Sequence, residues 1–426
     1  MEDRLIKKTV TLSVLMMLLV AGLSSVISHY GQGFAKAGSN ITVIFSFINQ
    51  WNQRPLKNGE MPFEINSLSD EVSEQLGDKF LLIQKSEKDS YEIKLEEQCM
   101  KKVIILTIKN LKTKDISTSS IYRKNYDYWF SGVPDKSNTG FMPAEQEVKI
   151  AGETYNNDKS DELLLVPEVI AASGDKYPYG GGSQDYITDP LRWITINYTE
   201  TGSGTYTAEI QLGMDYIYAP SWYEDENNIY LSLKTPKDVY STIVVIDAGH
   251  GGKDVGASSK DERYYEKDIN LSIMKHLRDV LEKKNIKVYY TRDEDETIYL
   301  NPRVNLANEV EADLFLSIHC NSNESAAPSG SEVLYNENQS GKDFLSKEFA
   351  QIVLDEIVGL TGKMNRGLVP SSEIVVVGKA NMPVALVETA FMSNTKELQF
   401  LIDEKNQIKI AKALSRAIDK AISKLK

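Results

Sequence analysis

The stretch Ile243 to Gly252, IVVIDAGHGG, decides the reading of the second half of the chain. Ile243, Val244, Val245 and Ile246 form a short β-branched run with no polar alternation, the pattern of a strand covered on both faces in a parallel sheet. Asp247 ends the run. Gly249, Gly251 and Gly252 then permit backbone angles that side chains disfavour, so the chain turns sharply and its backbone can approach a ligand. In open α/β sheets ligands bind outside the carboxyl ends of the strands, which is where His250 falls. Alone, such a histidine reads more readily as a satisfied residue in a surface turn; its weight comes from three further residues downstream.

In that direction, DLFLSIHCN (Asp313 to Asn321) repeats the pattern of a strand ending in a histidine, His319. Glu266 lies between the two, just before a helical pattern that begins with Asp268 as its cap. VALVETAF (Val384 to Phe391) is a further apolar strand, and Glu388 falls near its end. Two imidazoles and one carboxylate at element ends can supply three protein ligands of a catalytic zinc and leave a fourth position for water. Glu388 can then take a proton from that water. The whole chain contains 4 histidines, so two at strand ends in one segment is a pattern that chance rarely produces. Glu266 also reads as a solvated acid favoured near a helix start, and Glu388 as an ion-pair partner.

The blocks DAGHGGKDVGA, YEKDINL, RVNLANEVEADLFLSIHCN and MPVALVETAFMSN resemble, in order, those of the zinc-dependent N-acetylmuramoyl-L-alanine amidases that act on bacterial peptidoglycan. The resemblance runs from about Thr242 to Lys426. It implies that His250, Glu266 and His319 are zinc ligands and that Glu388 is the catalytic glutamate. It further implies hydrolysis of the amide between N-acetylmuramic acid and L-alanine. Ala248, Cys320 and Ala390 stand where the family usually has proline, alanine and glycine, and none of them is a ligand. Arg303 matches a family position and, with Asn321, is a candidate substrate contact; a structural role for Arg303 and an Asx turn at Asn321 are the alternatives. Some relatives carry a helical insertion that plugs the metal site. The connection from the strand at Gly330 to Val333 to the helix from about Lys342 is too short for one, so the site is expected to be open and to need no obligatory protein activator.

At 426 residues the chain exceeds the usual size of one domain. Its 41% hydrophobic and 26% charged content is that of ordinary globular protein. A net charge of -13 excludes a general affinity for nucleic acid, which requires a basic face. Cys99 and Cys320 read as two unrelated thiols, and a nitrogen and oxygen metal site follows from the lack of paired cysteines. Residues 1–37 hold Arg4, Lys7 and Lys8 before an uncharged run from Thr9 to about Ile27, the pattern of a transmembrane anchor or signal peptide with its basic tip in the cytoplasm. Ala35-Lys36-Ala37 fits a cleavage site. The remainder is therefore expected outside the cytoplasmic membrane of a bacterium, anchored there or secreted to the cell wall.

Residues 38–240 carry β-like runs, among them Ile41 to Ile48, Lys102 to Leu111, Thr205 to Leu212 and Asn228 to Leu233, and are expected to form a mostly β domain of sandwich type. Family members often have a β-rich, wall-binding module here. Its aromatics, including Tyr216, Tyr218, Trp222 and Tyr223, suit either sugar stacking or strand packing. Thr235-Pro236-Lys237-Asp238 reads as the linker. Residues 241–426 alternate strand and helix patterns and predict an α/β domain, a mostly parallel twisted sheet with helices on both faces. Asn301-Pro302 predicts a helix start, Ile374 to Val377 a further strand, and the last helix from about Glu404 an apolar stripe through Leu425. The function that these readings imply is a zinc peptidoglycan amidase. Its rivals are a zinc carboxypeptidase or endopeptidase and a non-catalytic wall-binding or assembly protein.

Overall fold

The computed structural model describes residues 56–57, 70–85, 91–125, 128–130, 189–202, 204–341 and 344–425. The N-terminal apolar segment, its cleavage site and the run Ile41 to Ile48 lie outside the described residues. Among the described residues no helix is long and apolar enough to cross a membrane.

After a two-residue strand β1 (Leu56–Lys57) and helix α1 (Asp70–Leu76), the first half is built from antiparallel strands. These are β2 (Lys79–Gln84), β3 (Glu92–Gln98), β4 (Val103–Leu111), β5 (Ile121–Asn125), β6 (Tyr128–Phe130), β7 (Leu191–Glu200), β8 (Tyr206–Met214), β9 (Ser221–Glu224) and β10 (Asn228–Ser232). One sheet places β6, β5, β2, β10 and β9 side by side, and the other runs β3, β4, β8, β7. Leu81, Ile83, Ile229 and Leu231 of the first share one buried core with Ile104, Leu106, Ile108, Ile210 and Leu212 of the second. Alternate residues of each strand thus close a sandwich. Tyr216 and Tyr218 are committed to packing: the Tyr218 hydroxyl donates to Asp215 and the Tyr216 hydroxyl to the Glu309 carbonyl.

The segment expected as a linker is a short helix, α2 (Pro236–Val239), in which Asp238 accepts hydrogen bonds from the Thr235 amide and hydroxyl. Lys237 pairs with Asp313 at 2.6 Å. Ile217 is buried with Val304, Leu306 and Val310, and its amide donates to Glu309 Oε1 at 2.9 Å. Proline and polar residues interrupt the strand periodicity here, and a capped turn satisfies them as well as a free linker does.

The second half is a six-stranded sheet in the order β12 (Lys287–Tyr290), β11 (Ile243–Ala248), β13 (Leu314–Asn321), β16 (Val384–Phe391), β14 (Ser331–Tyr335), β15 (Asn365–Pro370). The first four are mutually parallel; β14 runs antiparallel to β16, and β15 parallel to β14. Successive residues of β11 face opposite sides. Val244 and Ile246 join the core formed with α3 (Glu266–Leu281), α5 (Ser346–Thr361) and α8 (Glu404–Leu425). Ile243 and Val245 join the core formed with α4 (Leu300–Glu309) and α6 (Val375–Gly378). Helix α7 (Thr395–Leu401) follows β16. Helices on both faces explain why β11 shows no polar alternation.

Four local expectations change. Ile374 to Val377 lies in and beside α6 rather than in a strand, because Val376 and Val377 are one turn buried against α4 and four apolar residues carry no period of their own. Helix α3 begins at Glu266, with Tyr265 rather than Asp268 as its cap. Helix α4 is capped at Tyr299, which leaves Asn301 inside its first turn. The stripe of α8 is buried through Ala421, and Leu425 is exposed. Cys99 and Cys320 are both free.

Candidate metal centre

Parallel strands carry their carboxyl ends to the same edge, so β11, β13 and β16 deliver His250, His319 and Glu388 together there. Helix α3 brings Glu266 in at its first residue. His250 Nε2 lies 3.2 Å from Glu266 Oε2, and His319 Nδ1 lies 2.9 Å from Glu266 Oε1. The two rings meet edge to face with centroids 4.9 Å apart. One donor atom from each of the three residues falls within 4.8 Å of the others. Two imidazoles and a carboxylate converging in this way fit a zinc ion with an open fourth position. Backbone shape agrees. A Cβ added to Gly249 would lie 2.2 Å from the His319 ring, and one added to Gly256 would lie 2.6 Å from both Glu266 Oε2 and the His250 ring.

Several neighbours hold this set in place. Asp254 Oδ2 accepts from His250 Nδ1 at 2.8 Å, which turns Nε2 toward Glu266. Glu266 Oε1 accepts from the Cys320 amide and from Asn270 Nδ2, and Oε2 accepts from the Ala257 amide. Asn270 sits one helical turn after Glu266, a spacing visible in the sequence. Asp254 is four residues after His250, but its loop has no period from which to infer the contact. Burial alone would lower the His250 pKa; the carboxylates of Asp254 and Glu266 outweigh it and raise the value to about 10. For Glu266 burial opposes ionisation, yet the two imidazoles hold it well below the ordinary carboxylate range. Metal binding must therefore expel protons from the histidines, so affinity falls as pH falls.

The Asp254 contact leads to a prediction. Asp254→Asn is expected to weaken zinc binding by roughly 10- to 100-fold, the usual cost of losing a partner that orients a ligating histidine. Competition with a chromogenic chelator measures this, and unchanged affinity would remove the orienting role.

His250 adopts φ +61°, a left-handed conformation uncommon for a residue with a side chain. Two buried arginines hold that turn. Arg303 donates to the carbonyls of Ala248 at 2.9 Å and His250 at 2.8 Å, and to Asp247 Oδ1 at 2.7 Å. Arg292 donates to the carbonyls of Ala248 and Gly249 at 2.8 and 2.9 Å. Arg303 is 2% exposed, so the substrate contact expected for it is replaced by support of the loop from behind. Asn321 is half-buried and donates to Glu332 Oε1 at 2.6 Å.

Glu388 stands directly opposite His319 in the ladder between β13 and β16. Its Oε2 is sealed from solvent and has no hydrogen-bond partner. Burial, with Glu266 and Glu332 nearby, raises its pKa to about 7 against the opposing pull of His319 and His250. Residues 322–330 join β13 to β14 without a helix. A cleft of about 300 Å³ opens beside these strand ends, lined by Ser258, Ser259, Ser322, Asn323, Met392 and Ser393 among others.

Residues 244–420 match the family model described as N-acetylmuramoyl-L-alanine amidase. The chain is 35% identical over 176 residues to the uncharacterised protein YqiI of Bacillus subtilis (strain 168), covering 41% of this chain and 82% of that one. It is 35% identical over 182 residues to the N-acetylmuramoyl-L-alanine amidase LytC of the same organism, covering 43% of this chain but 35% of LytC. A third Bacillus subtilis relative, the germination-specific N-acetylmuramoyl-L-alanine amidase, is 30% identical over 190 residues, which are 41% of this chain and 78% of that protein. Because one relative of that name is matched over most of its length and the family model spans the sheet that carries His250, Glu266, His319 and Glu388, the chain belongs to the N-acetylmuramoyl-L-alanine amidase family.

Proposed function

We propose that residues 241–426 hydrolyse the amide between N-acetylmuramic acid and the L-alanine of the stem peptide, with Glu388 as the general base. The observation that carries this reading is the convergence of His250, Glu266 and His319 on one point, with an unpaired carboxylate oxygen on the neighbouring strand. The three ligands would hold zinc, which when bound supplies a Lewis acid that acidifies water and polarises a carbonyl. The Glu388 carboxylate accepts the proton of the attacking water and returns it to the departing amine of L-alanine. In the metal-free protein burial raises this carboxyl to about 7, the direction that suits a group that must both take and return a proton. Asp254 and Arg303 do no chemistry; they keep His250 aimed while charge moves.

Peptidoglycan lies outside the cytoplasmic membrane, and the basic tip with its apolar run at residues 1–37 supports export, by anchor or signal. The β sandwich is proposed as a wall-facing module.

Digestion of purified peptidoglycan by the zinc-loaded protein tests the reading. New L-alanine amino termini and peptide-free glycan are expected. Cleavage inside the stem peptide would favour a carboxypeptidase or endopeptidase, and no cleavage a binding protein.

A further inference from the structure

We propose that Arg366 binds a free carboxylate on the residue that follows L-alanine in the stem peptide, and so sets which stems are cleaved. The inference rests on the amidase reading above and deepens it. It starts from a row of side chains across the sheet. His319 is opposite Glu388 in one ladder, and Glu388 is opposite Glu332 in the next. Residues opposite one another on neighbouring strands project from the same face. On strand β15 Asn365 is opposite Ser331, the register shifts between Ser331 and Val333, and Arg366 reaches Glu332 at that irregularity through its Nε. The row thus runs from metal ligand, to base, to Glu332, to a cation.

Arg366 is held so that one edge stays free. Its Nε donates to Glu332 Oε2 at 2.9 Å, while Glu332 Oε1 accepts from Asn321. The guanidinium carbon lies 4.9 Å from the centre of the buried Phe391 ring. These contacts fix the plane of the group, yet its side chain remains 32% exposed. Among the described residues, the two terminal nitrogens have no hydrogen-bond partner. That edge is the fork that matches a carboxylate.

Substrate chemistry identifies the anion. The only carboxyl of N-acetylmuramic acid is consumed in the scissile amide, so free carboxylates lie on the peptide side. Arg366 is two strand spacings from Glu388, about 10 Å. An extended chain advances about 3.5 Å per residue, so that distance spans about three residues; the arginine tip leans back toward Glu332, which brings its reach to the first or second residue beyond L-alanine, and of these the nearer is the one assigned to Arg366. Glu332 orients the guanidinium and also repels that anion from the base, which leaves Arg366 as its seat.

The experiment compares two zinc-loaded proteins on N-acetylmuramoyl-L-alanyl peptides whose second residue carries either a free or an amidated carboxylate. The native protein is expected to show the lower KM for the free acid. Arg366→Ala is expected to raise that KM by roughly 10- to 100-fold, the range for a hydrogen bond to a charged group, with kcat nearly unchanged. Turnover of the amidated substrate should stay the same in both proteins, which separates lost recognition from lost folding. Arg366→Lys should recover part of the preference. Equal KM values for the two substrates in the native protein, or an equal loss on both in the variant, would overturn the inference while leaving the amidase reading intact. If the native protein cleaves neither substrate, the amidase reading itself fails, and this inference with it.

Discussion

Replacement of Glu388 by glutamine is expected to lower kcat for release of stem peptides by about 10²- to 10⁴-fold, the span attributed to general acid–base catalysis. The substitution keeps the size of the side chain but removes the site for the proton. Zinc content is expected not to change, since Glu388 is not among the three residues, His250, Glu266 and His319, whose donor atoms converge and are proposed to hold the metal. Chromatography of released peptides, with metal analysis of the same samples, measures both quantities. Full activity in the zinc-loaded variant would dismiss Glu388 as the base. The pH profile adds a second readout. Burial and the neighbouring acids raise the Glu388 carboxyl to about 7 in the metal-free protein, and the base must be ionised to act. Activity therefore climbs as pH rises, and a nearby dication moves the midpoint to 7 or below.

Asp247→Ala is expected to cost about 3–5 kcal/mol of stability, as is usual when one partner of a buried ion pair is removed. Asp247 is 1% exposed and lies 2.7 Å from Arg303 Nη1; Thr291 and Ser317 donate to it at 2.6 Å each. Without it, a guanidinium is left buried and uncompensated. The loss is a large share of the roughly 5–15 kcal/mol that holds a typical domain together. Urea denaturation reads it as a shift in midpoint, and a change under about 1 kcal/mol would show that the pair is not a keystone of the fold. Asp247→Leu with Arg303→Met should recover stability while zinc affinity falls, because only then do the carbonyls of Ala248 and His250 lose their Arg303 donor. Acid should act on the same pair. Burial resists its ionisation, but Arg303, Ser317 and Thr291 depress the Asp247 pKa below its ordinary 3.8. Its contribution is complete above that unfolded value and is lost as pH falls through the folded one.

Much of the sheet was legible because burial on two faces leaves an unmistakable trace. Ile243 to Ile246, Leu314 to Ile318 and Val384 to Val387 are uninterrupted or nearly uninterrupted apolar runs, and all three lie in adjacent parallel strands. Short apolar runs at the periphery were not legible in this way. Ile374 to Val377 has strand composition but lies in and beside a helical turn, since four residues cannot display a period and contacts with α4 decided the matter.

By itself the sequence determined which residue types end which strands: histidine at 250 and 319, glutamate at 388, with Glu266 at the next helix start. Parallel strands share an edge, so those positions had to meet. Tertiary structure alone decided what supports them. Asp254, Arg292 and Glu332 act across loops and between strands whose register no local period encodes, and Arg303 faces inward to the backbone rather than outward to substrate. Side-chain direction at such points depends on packing partners distant in the chain, which is why an arginine matched by family pattern became a brace, and one in a peripheral strand was left facing solvent.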